Sequence, residues 1–578
     1  MDRASDRFHV GPPAACSFWR SIVQGAVAIG LPVALGIAAA AAYGQSLPGA
    51  ARPRAEPPVT VPERPPAPAP EIEAAVPRVA VPPGAADIRV TVRDVVVEGS
   101  TVYSAAALRE SYAALLGQEA SLADVFAVAE VIQRAYREDG YLLTRVVVPP
   151  QKVADGVFRL RVVEGFVARV TVEGDIGRVS ERVQAYLDHI TAARPVRQQD
   201  LERYLLLVTD LPGVTAQGVL RPGSGEVGAA ELVVRVERDP FEGYALGNNR
   251  GSKYTGVARA ALSLQGNSAT AFGERLRGLF VATLGSDEER YGQIAYDQAL
   301  GNDGLRLRVT AAYDRTLPGY GLGSFDVEGE TAFGDLSVAY PLLRSRSRSL
   351  YLEGGLQAID TEQEAIDERL SRDRLRVLYA GVTADVLDGW DGRSQVGVSV
   401  RQGFNALGAS DKGDADLSRT EGVPDATVLR VQGARYQPFG STPWGLLTSV
   451  KGQYAWDPLL VDEEMGLGGE TFGRGYDPSE ITGDQGVGMT LELQYTRAVD
   501  SAWLRGYQAY GFYDLGAVWN EDDAPPAKQS LASAGLGVRT QLAGRVFLDL
   551  EVAKPLTREP GTRDNRDPQI YVQVTVGF

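Results

Sequence analysis

Most of the second half of the chain alternates between apolar and polar positions. In Leu305 to Tyr313, Leu305, Leu307, Val309, Ala311 and Tyr313 fall on one face, and Arg306, Arg308, Thr310 and Ala312 on the other. Met489 to Thr496 does the same, with Met489, Leu491, Leu493 and Tyr495 opposite Thr490, Glu492, Gln494 and Thr496. In Val546 to Val552, Val546, Leu548, Leu550 and Val552 oppose Phe547, Asp549 and Glu551. A period of two is that of a β-strand, and charges kept to one side mean that only one face meets water. From about Pro240 to Phe578 such strands follow one another through loops rich in Gly, Asp and Asn, and helical periodicity nearly vanishes. A soluble sandwich also alternates, but with its polar face outward and with shorter strands. Many long strands predict a transmembrane barrel, lipid outside and water within. At about 10 residues per tilted strand and as many per connection, roughly 16 antiparallel strands fit.

Before Pro240 the period changes. Ile88 to Val97 reads as a strand closed by the turn Glu98-Gly99. Ser104 to Leu116 and Leu122 to Arg137 carry apolar residues at helical spacing, including Val125, Val128, Ala129, Ile132 and Tyr136. Tyr141 to Val148 and Gly156 to Val163 read as strands. The order strand, helix, helix, strand, strand then recurs in Phe166 to Val172 with Glu173-Gly174, Val179 to Ile190, Gln198 to Val208, Val214 to Leu220 and Ala229 to Val236. A repeat is stronger evidence for a module than either copy alone. The expected architecture is an all-β transmembrane barrel at 240–578, preceded by two α+β domains at 87–164 and 165–239.

Between Gln45 and Pro83 proline is frequent, in Pro57-Pro58, Pro65-Pro66, Pro68, Pro70, Pro77 and Pro82-Pro83. Such sequence lacks amide donors and apolar bulk, so 45–86 reads as an extended linker. Ahead of it Arg3, Arg7 and Arg20 flank the start, Ile22 to Ala42 is an apolar run, and Ala42-Tyr43-Gly44 supplies small residues. This reads as an export signal over 1–44, cleaved after Gly44. A membrane anchor is the other reading of so long a run, and Gly30, Pro32 and Gly36 within it weigh against that. Cys16 precedes the run and would leave with the signal, so no disulfide or thiol chemistry is expected in the mature chain.

At 578 residues the chain exceeds what one core usually holds. Acidic residues outnumber basic ones 74 to 58, so there is no basic field to attract nucleic acid, and no such partner is expected. The mature chain has one histidine, His189, late in a helix, where packing is a better account than catalysis. There is no Gly-Xaa-Ser-Xaa-Gly elbow, no Gly-Lys phosphate loop and no His/Cys set at metal spacing. Gly319-Tyr320-Gly321-Leu322-Gly323 falls between strands rather than before a helix, so it cannot cradle a phosphate there. An enzyme is not expected, nor a cofactor or metal.

The candidate chemistry lies in one loop and one strand. Glycines at 466, 468, 469, 473 and 475 allow tight packing around Gly473-Arg474-Gly475-Tyr476. In Phe512-Tyr513-Asp514-Leu515-Gly516 the alternation puts Tyr510, Phe512, Asp514 and Gly516 on the lumen face, and Tyr513, Leu515, Ala517 and Trp519 outward. A loop folded back into the barrel would let Arg474 meet Asp514 in a confined space, where a bidentate pair is strong. The plainer reading is an ordinary loop with a solvated arginine.

Tyr141-Leu142-Leu143-Thr144-Arg145 leading to Pro149-Pro150-Gln151, then Val162-Val163-Glu164-Gly165, resembles the POTRA domains of two-partner secretion transporters, the haemolysin secretion and activation family. Asn249 to Gly256 resembles that family's first barrel strand. Gly469 to Tyr476, Gly483-Asp484-Gln485-Gly486 with Glu492, Phe512 to Gly516, Leu531 to Gly537 and Val552 to Leu556 resemble its C-terminal half in order and spacing. The likeness covers about residues 88 to 578 and implies a monomeric 16-stranded outer-membrane barrel with two periplasmic POTRA domains. It also implies that Arg474, at the tip of a loop inside the barrel, contacts Asp514 on the wall. Gly473 stands where the family's motif has valine. The aromatic C-terminus, Phe578, resembles the signal read by the barrel assembly machinery. The implied partners are outer-membrane lipid and a secreted exoprotein, received unfolded in the periplasm. Members can carry an N-terminal plug helix, but Glu71 to Val76 spans under two turns, so such a helix is not expected. A barrel-insertion factor and a passive pore or adhesin are the alternatives.

Overall fold

The computed structural model describes residues 47–60, 72–73, 81–153, 155–521, 527–542 and 544–578. The expected export signal lies outside them. Sixteen strands, from Phe241–Asn248 to Gln569–Gly577, close a barrel in which each pairs antiparallel with its neighbours in chain order. Among the described residues from Phe241 onward, the hairpin Met465–Leu467 and Ile481–Gly483 is the one strand pair that stands apart from this wall. Val309, Tyr313, Leu493, Val572 and Val574 are exposed on the outside, whereas Asp314, Thr490, Glu492 and Glu551 are buried within. The alternation therefore sorts lipid-facing from lumen-facing residues, and closure leaves no unpaired sheet edge in the bilayer. Phe241, Trp390, Phe439 and Trp503 are exposed at or beside the turns at the end nearest the α+β units, as in an interfacial aromatic belt.

Closure between the first and last strands is the shortest junction. It has five register pairs, Tyr244 with Gly577 through Asn248 with Gln573, against eight or more at every other wall junction. Side chains extend it. Asn249 Nδ2 donates to Ile570 O at 2.9 Å and its Oδ1 accepts from Val572 N at 2.7 Å, imitating one more backbone pair. At the other end Gly243 and Phe578 exchange backbone hydrogen bonds of 3.1 and 2.9 Å. Gly243 is needed there, because a Cβ would stand 2.2 Å from the Phe578 ring.

Ahead of the barrel, Ile72–Glu73 (β1) precedes two α+β units. The first contains Arg89–Thr91 (β2), Asp94–Glu98 (β3), Ala105–Glu110 (α1), Glu119–Ser121 (β4), Leu122–Glu138 (α2), Arg145–Val147 (β5) and Val157–Val163 (β6). Three expectations are corrected here. Ile88 to Val97 is two strands, because β2 turns to pair with β4 while β3 pairs with β6. Ser104 to Leu116 is not one helix, as α1 ends at Glu110 and a 3-10 turn follows at Ala113–Leu115. Tyr141 to Val148 begins with a turn closed by Thr144 N donating to Tyr141 O at 3.1 Å, so β5 is short. Helix α2 has a capping box, Ser121 and Asp124 each accepting from the other's backbone N–H, and buries Val125, Val128, Ala129, Ile132 and Tyr136.

The second unit contains Phe166–Glu173 (β7), Ser180–Ala192 (α3), Gln198–Thr209 (α4), Val214–Pro222 (β8) and Ala229–Arg238 (β9). Its sheet runs β1-β8-β9-β7 over a core of Val183, Leu187, Leu201, Leu205 and Leu232. His189 is half-buried and stacks on Tyr204, ring centroids 4.5 Å apart. This unit is fastened to the barrel turns. Arg344 grips Asp210 bidentately at 2.8 and 2.7 Å, and Arg203 donates to Pro341 O at 2.9 Å while pairing with Asp303 at 3.1 Å.

Residues 47–60 run through the lumen. They make one 3-10 turn at Gly49–Ala51, then run as irregular backbone with bends at Arg52, Ala55-Glu56 and Pro58-Val59. Pro48, Pro53, Pro57 and Pro58 remove amide donors, so the wall holds this strap mainly by its carbonyls. Ser252 Oγ donates to Ala50 O at 2.9 Å, Tyr291 OH to Ala55 O at 3.3 Å and Arg259 Nη1 to Pro58 O at 3.1 Å. In return Arg54 N donates to Asp314 Oδ2 at 2.7 Å. Nothing in the prolines of this stretch announced that it would lie within the barrel.

Candidate functional site

The loop 456–484 joins the wall strands Trp444–Ala455 and Gln485–Ala498 and folds back into the lumen. Its stem is the separate hairpin, and its tip reaches Gly473 and Arg474. Gly473 adopts φ +85°, a left-handed conformation that suits glycine, and a Cβ there would meet Leu531 Cδ1 at 2.7 Å.

Asp514, on the wall strand Leu504–Trp519, receives the tip. Its Oδ2 accepts from the backbone N–H of Gly473 at 3.2 Å and of Arg474 at 2.9 Å, from Arg474 Nε at 3.2 Å and from Ser533 Oγ at 3.2 Å. Its Oδ1 accepts from Arg474 Nη2 at 3.0 Å. The guanidinium also lies flat against the Phe512 ring, Cζ 3.5 Å from the centroid. Arg474 is 4 % exposed and Asp514 0 %, so both charges are out of solvent and depend on each other.

Four further charges complete the cluster. Arg474 Nη1 donates to Glu492 Oε2 at 2.6 Å and stands 3.5 Å from Glu551 Oε2. Arg539 meets the other oxygen of Glu492 at 2.6 Å and covers the Tyr510 ring at 3.8 Å, while Arg250 pairs with Glu551 at 3.1 Å. Glu492 and Arg250 fell within segments of the family likeness without a role of their own, and Arg539 and Glu551 were not singled out. Their signal was weak, because each is one of many charges on the lumen face.

The remaining motif residues are steric. Tyr476 OH donates to Ala532 O at 2.9 Å. Gly475 is pressed on the last-but-one strand, where a Cβ would stand 2.7 Å from Pro555 N. Gly516 and Gly488 form a notch in the wall that admits Leu467 of the hairpin, with hypothetical Cβ positions 2.4 and 2.7 Å from its methyl groups. Phe578 is not part of this cluster. It is exposed on the lipid face at the end of the last strand.

Loop and strap also touch. Arg52 of the strap pairs with Glu464 at the foot of the loop at 3.3 Å, and Arg419 of a neighbouring loop pairs with Glu464 and Asp484. Glu463 is held by Arg401 at 3.0 Å and Arg430 at 2.9 Å. The cavity left between them, about 670 Å³, is lined by strap residues Arg52 to Pro57 and by Glu463, Glu464, Lys451 and Phe472 among others. Two separate pieces of the chain therefore fill the lumen.

A 16-stranded barrel behind two α+β units, its lumen occupied by an inward loop, is the architecture of an outer-membrane protein transporter. The model of the haemolysin secretion/activation protein family ShlB/FhaC/HecB matches residues 230–540, and that of the ShlB-type POTRA domain matches residues 90–165. The chain belongs to this haemolysin secretion/activation family. It is 24 % identical over 450 residues to the heme/hemopexin transporter protein HuxB of Haemophilus influenzae (strain 86-028NP), covering 76 % of this chain and 79 % of that one. It is 24 % identical over 509 residues to the outer membrane transporter CdiB of Escherichia coli O6:K15:H31, covering 84 % and 82 %. The solved structure of CdiB from Escherichia coli superposes with a TM-score of 0.73 at 20 % identity, over 87 % of this chain and 94 % of that one. CdiB from Acinetobacter baumannii gives 0.64 at 17 %, over 85 % and 90 %. The protein is an outer-membrane transporter of two-partner secretion, with its POTRA units in the periplasm, and it works with a secreted exoprotein.

Proposed function

We propose that the exoprotein enters unfolded from the periplasm and leaves through this lumen, and that the loop bearing Arg474 must rearrange to let it pass. The observation that carries this reading is the Arg474–Asp514 contact, a buried charge pair between an inward loop and the barrel wall. Such a pair favours two discrete states, docked or released, over gradual loosening. The clamp residues all come from one barrel, in keeping with a monomer. Phe578, exposed at the end of the last strand, suits a signal to the assembly machinery. With no nucleotide motif in the chain, net movement would come from cargo folding outside.

The test is deletion of the gene and complementation with wild type or Arg474→Ala. Deletion should remove one large exoprotein from the surface or medium while other barrels assemble normally. Wild type should restore it, and Arg474→Ala at equal membrane abundance should not. Full secretion by that variant would overturn the role of the clamp.

The short seam favours a second reading, insertion of other barrels through a parted junction. A disulfide between Ala245→Cys and Val576→Cys, which are paired across the seam, separates the two. Locking it should leave secretion unchanged under the first reading and should stall barrel assembly under the second.

A further inference from the structure

The three longest strands of the wall are neighbours, Glu328–Arg344, Arg348–Ala365 and Glu368–Leu387, of 17, 18 and 20 residues. From Leu378 to Val386 every second residue on the outward face of the last strand is apolar, and Leu378 and Val382 are exposed to lipid. A strand tilted by about 40° climbs about 2.5 Å per residue, so this run covers about 20 Å of an apolar band of about 25 Å. The exposed Trp390, in the turn beyond, marks its periplasmic side. In the other direction the same outward face continues with Arg376, Arg374 and Arg372, while Leu375 and Asp373 between them are buried in the lumen. Arg376 therefore stands about 5 Å above Leu378, at the level of the outer leaflet's headgroups, with Arg374 and Arg372 about 10 and 15 Å above it.

The neighbouring strands carry charge at the same height. Glu330, Glu362 and Arg372 lie in one row across the register, and Asp360 lies opposite Arg374. Most of these charges are matched on the wall itself. Arg372 stands 3.7 Å from Glu362, and Asp360 is taken by Arg376. Arg374 is left over. Its side chain makes no ion pair among the described residues, and its Nε is enclosed without a hydrogen-bond partner. An enclosed donor is normally satisfied, so this one calls for an acceptor from outside the chain.

We propose that Arg372, Arg374 and Arg376 bind a phosphate of the phosphorylated glycolipid of the outer leaflet, with Arg374 supplying the unpaired guanidinium. Its planar fork matches two phosphate oxygens, and the acyl chains of the same lipid would lie along Leu378 and Val382 below. The site is joined to the extracellular loop 404–426. Ser410 N donates to Arg374 O at 2.9 Å, Arg374 N to Ser410 Oγ at 3.1 Å, and Arg376 Nε to Leu407 O at 3.1 Å. Arg419 of that loop grips Glu464 and Asp484, so a bound lipid braces the loop that holds the foot of the inward one.

The test is binding of lipid A to the purified full chain in detergent, followed by native mass spectrometry. The probes are bisphosphorylated lipid A, the same lipid with its phosphates removed, and inorganic phosphate as competitor. Wild type should retain the bisphosphorylated lipid, bind the dephosphorylated one far more weakly, and keep the first in a large excess of inorganic phosphate. Arg374→Gln has no ion pair to lose, so it should leave the heat stability of the barrel unchanged and lower lipid A affinity about tenfold. Arg435→Gln, on the outward face at the periplasmic end of the wall, should bind as wild type does. Equal binding by Arg374→Gln and wild type, or equal binding of the dephosphorylated lipid, would overturn the proposal. Displacement by inorganic phosphate would overturn it too, since the site would then take the free anion and not the lipid.

Discussion

Gly488 and Gly516 face each other across adjacent wall strands, and their missing side chains make the opening that Leu467 fills. A Cβ on Gly488 would meet only side chains, Leu467 at 2.7 Å and Phe472 at 3.3 Å, whereas one on Gly516 would also meet Val487 O at 2.9 Å. Gly488→Ala should therefore unseat the hairpin in a barrel that still forms, and Leu467→Ala should restore seating in the double variant. Protease accessibility of loop 456–484 in outer-membrane vesicles checks both steps. Gly516→Ala should not be rescued in this way, because the backbone oxygen cannot move aside.

Removing either side of the Arg474–Asp514 pair leaves a buried charge without its partner, a cost of about 3 to 5 kcal/mol. Arg474→Ala and Asp514→Asn should each lower the temperature at which the loop is released, and the double variant should lower it by less than the sum. Arg474→Lys should behave nearly as badly as alanine, since one ammonium cannot serve Asp514, Glu492 and the Phe512 face together. Loop release can be followed by labelling a cysteine placed at Thr471.

The barrel was legible because lipid and water impose a strict period of two, visible in Leu305 to Tyr313 without reference to any partner. Arg474 and Asp514 were singled out by the glycines around one, by the outward-facing Tyr513 and Leu515 that frame the other, and by the family likeness of both segments. Glu492 fell within the likeness without a role and Arg539 was not singled out, since a lumen charge that binds a loop looks the same in sequence as one that binds water. The strap was hidden for a related reason. Its prolines announce an extended backbone, but its partners, Ser252, Arg259, Tyr291 and Asp314, lie more than 200 positions away and carry no matching pattern. In the first POTRA unit, Ile88 to Val97 alternates as one strand, and only the pairing of β2 with β4 divides it.

Because the strap fills space that would otherwise conduct, its removal should be measurable as current. Deleting residues 47–60 should raise single-channel conductance in planar bilayers well above that of the intact chain. Arg54→Ala should raise the frequency of brief openings instead, because the backbone contacts to the strap remain. An unchanged conductance after deletion would mean that the loop alone limits the pore.

Glu164 offers a test by pH away from the membrane. Its carboxylate accepts from Thr101 N at 2.7 Å, Tyr136 OH at 2.8 Å and Val102 N at 3.1 Å. Partial burial alone would raise its pKa, but the hydrogen bonds from Thr101, Tyr136 and Val102 outweigh it and hold the pKa below the ordinary 4.5. A carboxylate depressed on folding stabilises fully above 4.5, and that contribution is lost as pH falls through the lower folded-state value. Glu164→Gln should weaken the first POTRA unit by about 1 kcal/mol at pH 7, allowing for solvent screening, and the difference should fade in strong acid. Hydrogen exchange at Thr101 and Val102, corrected for intrinsic rates, reads it directly.

A stopper on a string differs from a stopper that is lost. The strap belongs to the same molecule as the hole it fills, so resealing after a passage is a one-molecule event whose speed does not depend on how many transporters the cell makes. If cargo passage displaces the strap, the outer membrane would be leaky only while cargo is in the lumen.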